Sequence, residues 1–251
     1  MHPRTVFTIA ALTTLAPGCS LLQGGDVGSH AKSFLTGADA LIVELDVAPG
    51  AEPNNEALTT FTSTLQQVTG RSVTVERGVL QGEGPSHAYT FSELRSLASG
   101  SAAARAAGAD VMHAMYLDGT ITDQGQSDIL GLSFDGTNIA MAKGKIRDVS
   151  CASGEEVLGR CINGQPKETF VERAVLVHEA GHLLGLVNVG TSMVRDHEDA
   201  GHPGHSRFET SVMYWAVEQG AALTNLIGGG AQIPHQFDEY DREDLREARG
   251  G

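Results

Sequence analysis

Apolar and polar positions along the chain change period several times, and each change marks an element. Residues 40–47 (ALIVELDV) are apolar and rich in β-branched side chains, and they run into the Pro/Asn-rich APGAEPNN, which predicts a strand. Leu58, Phe61, Leu65 and Val68 then recur at helical spacing, between an Asn54 or Asn55 cap and a terminating Gly70. Residues 72–77 alternate as a second strand. Residues 89–108 read as a helix capped by Ser92, with Gly100 weakening its middle. Residues 109–119 form a continuous apolar run, as a buried strand does. Residues 128–143 hold two short strands around Phe134-Asp135-Gly136-Thr137, a hairpin signal. The order predicts an α+β fold on a twisted, mixed, mostly parallel sheet that ends in an antiparallel edge strand.

The next helical pattern is the most apolar. Thr169 and Glu172 form a Thr-x-x-Glu capping pair ahead of Val171, Ala174, Val175, Val177, Leu183 and Leu184, which predicts a helix over about 170–184. Residues 228–237 (GGGAQIPHQF) read as a flexible loop able to cover a cleft. The charge-interleaved end DEYDREDLREARGG reads as a surface helix. No internal repeat is present, and no boundary splits residues 37–251.

The first residues change the picture of location. Val6–Ala16 is an apolar run too short to span a bilayer permanently, behind a weakly basic start, and it ends in LAPGC. This resembles a bacterial lipoprotein signal in which Cys19 is lipidated. The expected organisation is residues 1–19 as signal, 20–36 as a flexible tether and 37–251 as one domain. That makes the protein exported, either secreted or held to the cell envelope by a lipid on Cys19. Cys151 and Cys161 are then left as a pair around a Gly-containing loop. A disulfide there is expected to contribute about 2–3 kcal/mol in an oxidising compartment.

Composition narrows the partners. The hydrophobic fraction of 41 % is enough for a core, and the net charge of −14 argues against nucleic acid or an acidic lipid surface, since both need clustered Lys and Arg. A monomer with neither of these partners is expected.

The candidate chemistry lies in HEAGHLLGLVN, residues 178–188. His178 and His182 are one helical turn apart on one face and can chelate one zinc ion, while Glu179 is placed to act as general base. Gly185 can take the left-handed conformation that turns the chain back sharply. HExxHxxG resembles the opening of the metzincin signature. Metzincins are zinc endopeptidases with a third ligand three residues after that glycine and a methionine turn beneath the metal. SVMYW (211–215), with Met213, resembles that turn, and Tyr214 is a candidate for bonding an oxyanion.

Asn188 stands where the third ligand is expected, and a neutral amide oxygen is a poor zinc donor. His197, His202 and His205 follow. In archaemetzincins the third histidine precedes a cysteine, four residues, a second cysteine, one residue and the turn methionine. His205, Ser206, Ser211 and Met213 reproduce that spacing with serine at both cysteine positions. The resemblance covers residues 178–213 and implies a zincin-like fold, His205 as third ligand, 186–204 as an insertion and no cysteine-based second zinc site. Asn188, His197 and His202 stay open as alternatives. Asp196, Glu198 and Asp199 read as a solvated acidic loop, and His30, His87, His113 and His235 as bystanders.

The expected activity is zinc-dependent peptide-bond hydrolysis by a metal-activated water, with one Zn2+ on His178, His182 and His205 and Glu179 as base. A substrate strand is expected to add to an exposed sheet edge near 129–141. A zinc amidase on a small substrate, or an inactive surface lipoprotein that keeps the fold, are the competing readings.

Overall fold

Leu41, Val43 and Leu45 alternate with half-buried neighbours along the first strand, and all three are buried. The strand is therefore covered on one face and flanked on both edges. The computed structural model describes residues 27–101, 110–123, 125–150, 156–157, 160–161, 168–228 and 232–250. The expected signal, Cys19 and Cys151 lie outside them.

The main sheet has five strands in the order β2-β1-β4-β8-β7: Val73–Val79, Leu41–Val47, Val111–Leu117, Asn138–Ala142 and Gly131–Phe134. β2, β1, β4 and β8 are parallel, and β7 is antiparallel to β8. The expected mixed sheet with an antiparallel edge is present. Asp135 and Gly136 make the hairpin turn with φ of 51° and 74°. Aspartate tolerates this left-handed backbone and glycine favours it. A smaller sheet pairs β3 (Ala88–Thr90), β5 (Thr120–Asp123) and β6 (Gln126–Ile129). Two-residue strands β9 (Glu156–Val157) and β10 (Arg160–Cys161) pair with each other, as do β11 (Glu198–Asp199) and β12 (His202–Ser206).

Helix α2 (Asn55–Thr69) behaves as its sequence implies. The Asn54 side chain accepts from the Glu56 and Ala57 amides, and Gly70 ends the helix at φ 70°. Its apolar face meets α5 (Glu168–Leu183), which also packs on β7 and β8. Among the described residues α4 (Lys143–Val149), α6 (Gly220–Gly228) and α7 (Glu239–Ala248) are also helical. Among the described residues no helix is long and apolar enough to cross a membrane.

Several local expectations give way to tertiary contacts. Ala31–Thr36, assigned to the tether, is helix α1, with Phe34 and Leu35 buried in the core. Arg71 donates to the Ser33 and Phe34 carbonyls, both at 3.1 Å, and so holds the short helix from outside its own sequence. Thr90, not Ser92, caps α3 (Phe91–Ala98). The Glu93 carboxylate accepts from the Thr90 amide at 2.7 Å, closing a capping box that Ser92 cannot form. Residues 102–108 of the expected long helix lie outside the described residues.

Thr169 already lies inside helix α5 (Glu168–Leu183), so the expected Thr169–Glu172 cap is absent. Glu172 is fully buried instead. Its carboxylate pairs with buried Lys143 and accepts from the Asn54 amide at 2.8 Å and the Tyr116 hydroxyl at 3.2 Å. Burial first, and then the Glu172 charge, push the Tyr116 phenol well above its usual range. The edge strand β7 is also not open as expected: Leu132 and Ser133 are 2 % exposed and Phe134 is 0 %.

A candidate metal centre of three histidines and a glutamate

The chemistry begins on α5. His178 and His182 project from one face of a helix that is buried from Ala174 to Leu183. Gly185 follows at φ 75°, and a Cβ there would stand 2.6 Å from the Thr191 amide nitrogen, so only glycine fits the turn. Val187 and Asn188 continue it at φ 51° and 66°. Asn188 is exposed, whereas His178 and His182 are buried.

The outgoing segment is anchored before it returns. His197 is buried and sits 2.9 Å from Asp244 on α7. The Arg207 amide donates to the His197 carbonyl, and the Ser206 amide to the Met213 carbonyl, at 2.9 and 2.8 Å. These bonds fix β12 beside residues 212–214 and bring its buried His205 back over α5. The His205 ring lies 5.2 Å from His178 and 4.9 Å from His182, centroid to centroid.

Glu218 completes the cluster. Donor atoms of His178, His182, His205 and Glu218 all lie within 4.8 Å of one another, and all four residues are at most 2 % exposed. The two Nε2 atoms of His178 and His182 are 3.1 Å apart. Glu218 Oε2 is 3.5 Å from His178 Nε2, and Oε1 is 3.4 Å from His205 Nε2. A tetrahedral zinc with bonds of 2.0–2.1 Å separates its donor atoms by roughly 3.3 Å, so the donor set fits one ion. His178 Nδ1 donates to the Val212 carbonyl at 2.7 Å, which leaves the Nε2 lone pair facing the centre.

Electrostatics agree with an electron-rich cage. Burial, then the neighbouring His178 and His205, hold His182 well below the usual imidazole range, so it stays neutral. Burial is the largest influence on His205 and acts to lower it, but the Glu218 charge and hydrogen bond, the Glu179 charge and the Pro203 carbonyl together outweigh burial, and the net shift is upward. Burial acts to raise Glu218, and its contacts with His205 and His178 overcome that and hold it below the usual carboxylate range. Glu179 Oε1 and Glu218 Oε1 are buried with no hydrogen-bond partner, a cost that a bound cation and its polar company would relieve.

Glu179 faces β7. Ser133 Oγ lies 2.7 Å from both the Glu179 carbonyl and its Oε2. Burial first, then the Glu218 charge, raise the Glu179 carboxyl to about 7 against the opposing pull of His178. Gly131, two residues before Ser133, makes room for this side chain. A Cβ on Gly131 would stand 2.5 Å from Val175 Cγ1 and 2.8 Å from Glu179 Oε1. Gly131→Ala is therefore expected to lower stability by about 1–3 kcal/mol through overpacking, read as a fall in Tm, and to displace the Glu179 carboxylate.

The other sequence candidates are distributed elsewhere. His202 stacks on Trp215, 4.2 Å between centroids and 4° between planes, and pairs with Asp199 at 2.8 Å. Glu198 accepts from the Gly204 amide and Asp196 is exposed, so the three acids brace a loop. Tyr214 is half-buried, with its hydroxyl 3.5 Å from Glu209. His113 is buried between Asp46 and Asn138, His87 pairs with Glu93, His30 is near Ser29 and His235 bonds the Ile233 carbonyl. Met213 packs on Gly181, where a Cβ would lie 2.2 Å from its Sδ. Residues 229–231 of the expected covering loop lie outside the described residues, while Phe237 beyond them is buried and reaches Gly181.

The chain is similar in fold to an archaemetzincin. The crystal structure of archaemetzincin from Methanopyrus kandleri matches with a TM-score of 0.55 over 85 % of this chain and 98 % of that chain, at 14 % identity. No family model and no curated protein matches the sequence. The two serines at the archaemetzincin cysteine positions are both buried here. Ser211 Oγ donates to Asp241 on α7 at 2.5 Å and accepts from the Met213 amide at 2.9 Å. The charged C-terminal segment, expected as a surface helix, thus carries buried Asp241 and Asp244 that brace the segments bearing Met213 and His205.

Glu218 and Ser133 are the two site residues that sequence reasoning misses. The signal for Glu218 is one acid after the apolar run Trp215–Val217; Ser133 carries no signal outside the fold.

Proposed function

We propose that this protein is a zinc-dependent peptidase in which His178, His182 and His205 hold one zinc ion and Glu179 serves as general base. The observation that supports it most is the buried cluster of three imidazoles beside a carboxyl raised to about 7, set in an archaemetzincin-like fold. Zinc, when bound, supplies a Lewis acid that polarises a carbonyl and lowers the pKa of water to roughly 7.

The protein's own part is positioning and proton transfer. The buried Glu179 carboxylate can accept a proton from an attacking water and return it to the leaving amine. Ser133 holds Glu179 Oε2, so Oε1, which bonds nothing, is the oxygen left to receive that proton. Met213 packs against Gly181, between His178 and His182 in the α5 sequence, and that contact supports reading it as the turn methionine. Lipid attachment at Cys19 and export belong to the same proposal.

The test is His205→Ala beside the unaltered protein, both dialysed against Zn2+ and analysed for metal. About one equivalent is expected in the parent and less than about half in the variant, because removing one imidazole from the cluster weakens its hold on zinc. Equal zinc in both would remove His205 from the site.

A further inference from the structure

We propose that Glu218 is a fourth ligand that closes the metal site, so that the resting protein presents no open coordination position. The inference rests on the three-histidine reading above and goes beyond it. Sites that hydrolyse substrates keep three protein ligands and leave the fourth position to water, whereas closed sites have four. Here the fourth corner is occupied by a protein carboxylate. His178 Nε2 lies 3.1 Å from His182 Nε2, and the two Glu218 oxygens face two of the imidazoles, Oε2 at 3.5 Å from His178 Nε2 and Oε1 at 3.4 Å from His205 Nε2, close to the roughly 3.3 Å between donors of one tetrahedral zinc.

The backbone holds Glu218 in place. It ends the 3-10 turn Trp215–Glu218, and its carbonyl accepts from the Leu130 amide at 2.8 Å. Gln219 then bridges antiparallel to Ile129. Glu218 is thus delivered from the chain that runs past the start of the edge strand. The same bridge occupies main-chain groups at Ile129 and Leu130 that lead into β7, where an extended peptide would pair. One movement of residues 215–219 would therefore free both the metal's fourth position and the approach to the sheet edge. Glu218 acts as a latch, and cleavage requires its carboxylate to leave.

The experiment uses the full chain loaded with Co2+, titrated with acetohydroxamate, and in parallel Zn2+ affinity by chelator competition. The visible spectrum of the parent is expected to hold steady at hydroxamate concentrations that shift Glu218→Ala. The variant should also bind Zn2+ at least about tenfold more weakly, the lower end of what losing even a residue behind a ligand costs. Glu218→Gln preserves the packing and replaces the carboxylate by a poor donor, so it should reproduce both changes even where the alanine variant folds badly. Parent and Glu218→Gln responding alike to hydroxamate, with unchanged Zn2+ affinity, would overturn the latch while leaving the three-histidine site standing. Failure of the parent to bind either metal would overturn both.

Discussion

Glu179→Gln is expected to retain zinc at the parent's level and to cleave peptides about 10²–10⁴-fold more slowly, the range a positioned general base contributes. Glutamine has the shape of glutamate and can still receive the Ser133 hydrogen bond on its amide oxygen. It cannot accept the proton that Glu179 Oε1 is free to take. Because Glu179 is not among the four clustered donors, the metal should be indifferent to the change. Zinc content by atomic absorption and hydrolysis of labelled casein give the two readings. Wild-type turnover in the variant would remove Glu179 from the chemistry. Loss of zinc together with activity would make it a structural residue instead.

The second large effect concerns stability. Lys143→Met should destabilise the fold by about 3–5 kcal/mol, as removal of one partner from a buried ion pair does. Lys143 is 1 % exposed and its ammonium meets Glu168 at 2.5 Å as well as Glu172. Methionine fills the volume but leaves the Glu172 carboxylate buried without a counter-charge. Glu172 also accepts from the Asn54 amide and the Tyr116 hydroxyl, so α2, α5, β4 and α4 meet at this one carboxylate. Urea denaturation should show a lower midpoint at constant slope. The double variant Lys143→Met with Glu172→Leu should recover most of the loss, since replacing the whole pair by apolar side chains removes the uncompensated charge. A single variant within about 1 kcal/mol of the parent would mean that Glu172 takes up a proton at little cost, or that water reaches it.

Glu172 also illustrates what the sequence could and could not reveal. Thr169-x-x-Glu172 carries a helix-start signal, but both residues lie inside the helix; the carboxylate is drawn to Lys143, a partner 29 residues away. A capping rule sees four consecutive residues and cannot see that ion pair. The same applies to α1, whose six residues are too few to show a period and are held by Arg71. Where both partners are local the reading is sound: Asn54 caps α2, Gly70 ends it, and Asp135-Gly136 turns the hairpin. At the site, His178, Glu179 and His182 are legible because a helix turn fixes their spacing. His205 lies 23 residues beyond His182 and was named through a spacing of Ser206, Ser211 and Met213 that resembles archaemetzincins. The structure brings it to the other two. Glu218 has no such pattern. Its place depends on a bridge to Ile129, some ninety residues earlier, and only the folded chain exposes that relation.

The central claim is that three imidazoles from α5 and β12 surround one ion. Crystals grown with Zn2+ and measured on both sides of the zinc absorption edge test it most directly. One strong anomalous peak is expected about 2.0–2.1 Å from the Nε2 atoms of His178, His182 and His205. A peak bound elsewhere, or none between these three side chains in a zinc-saturated crystal, would contradict it.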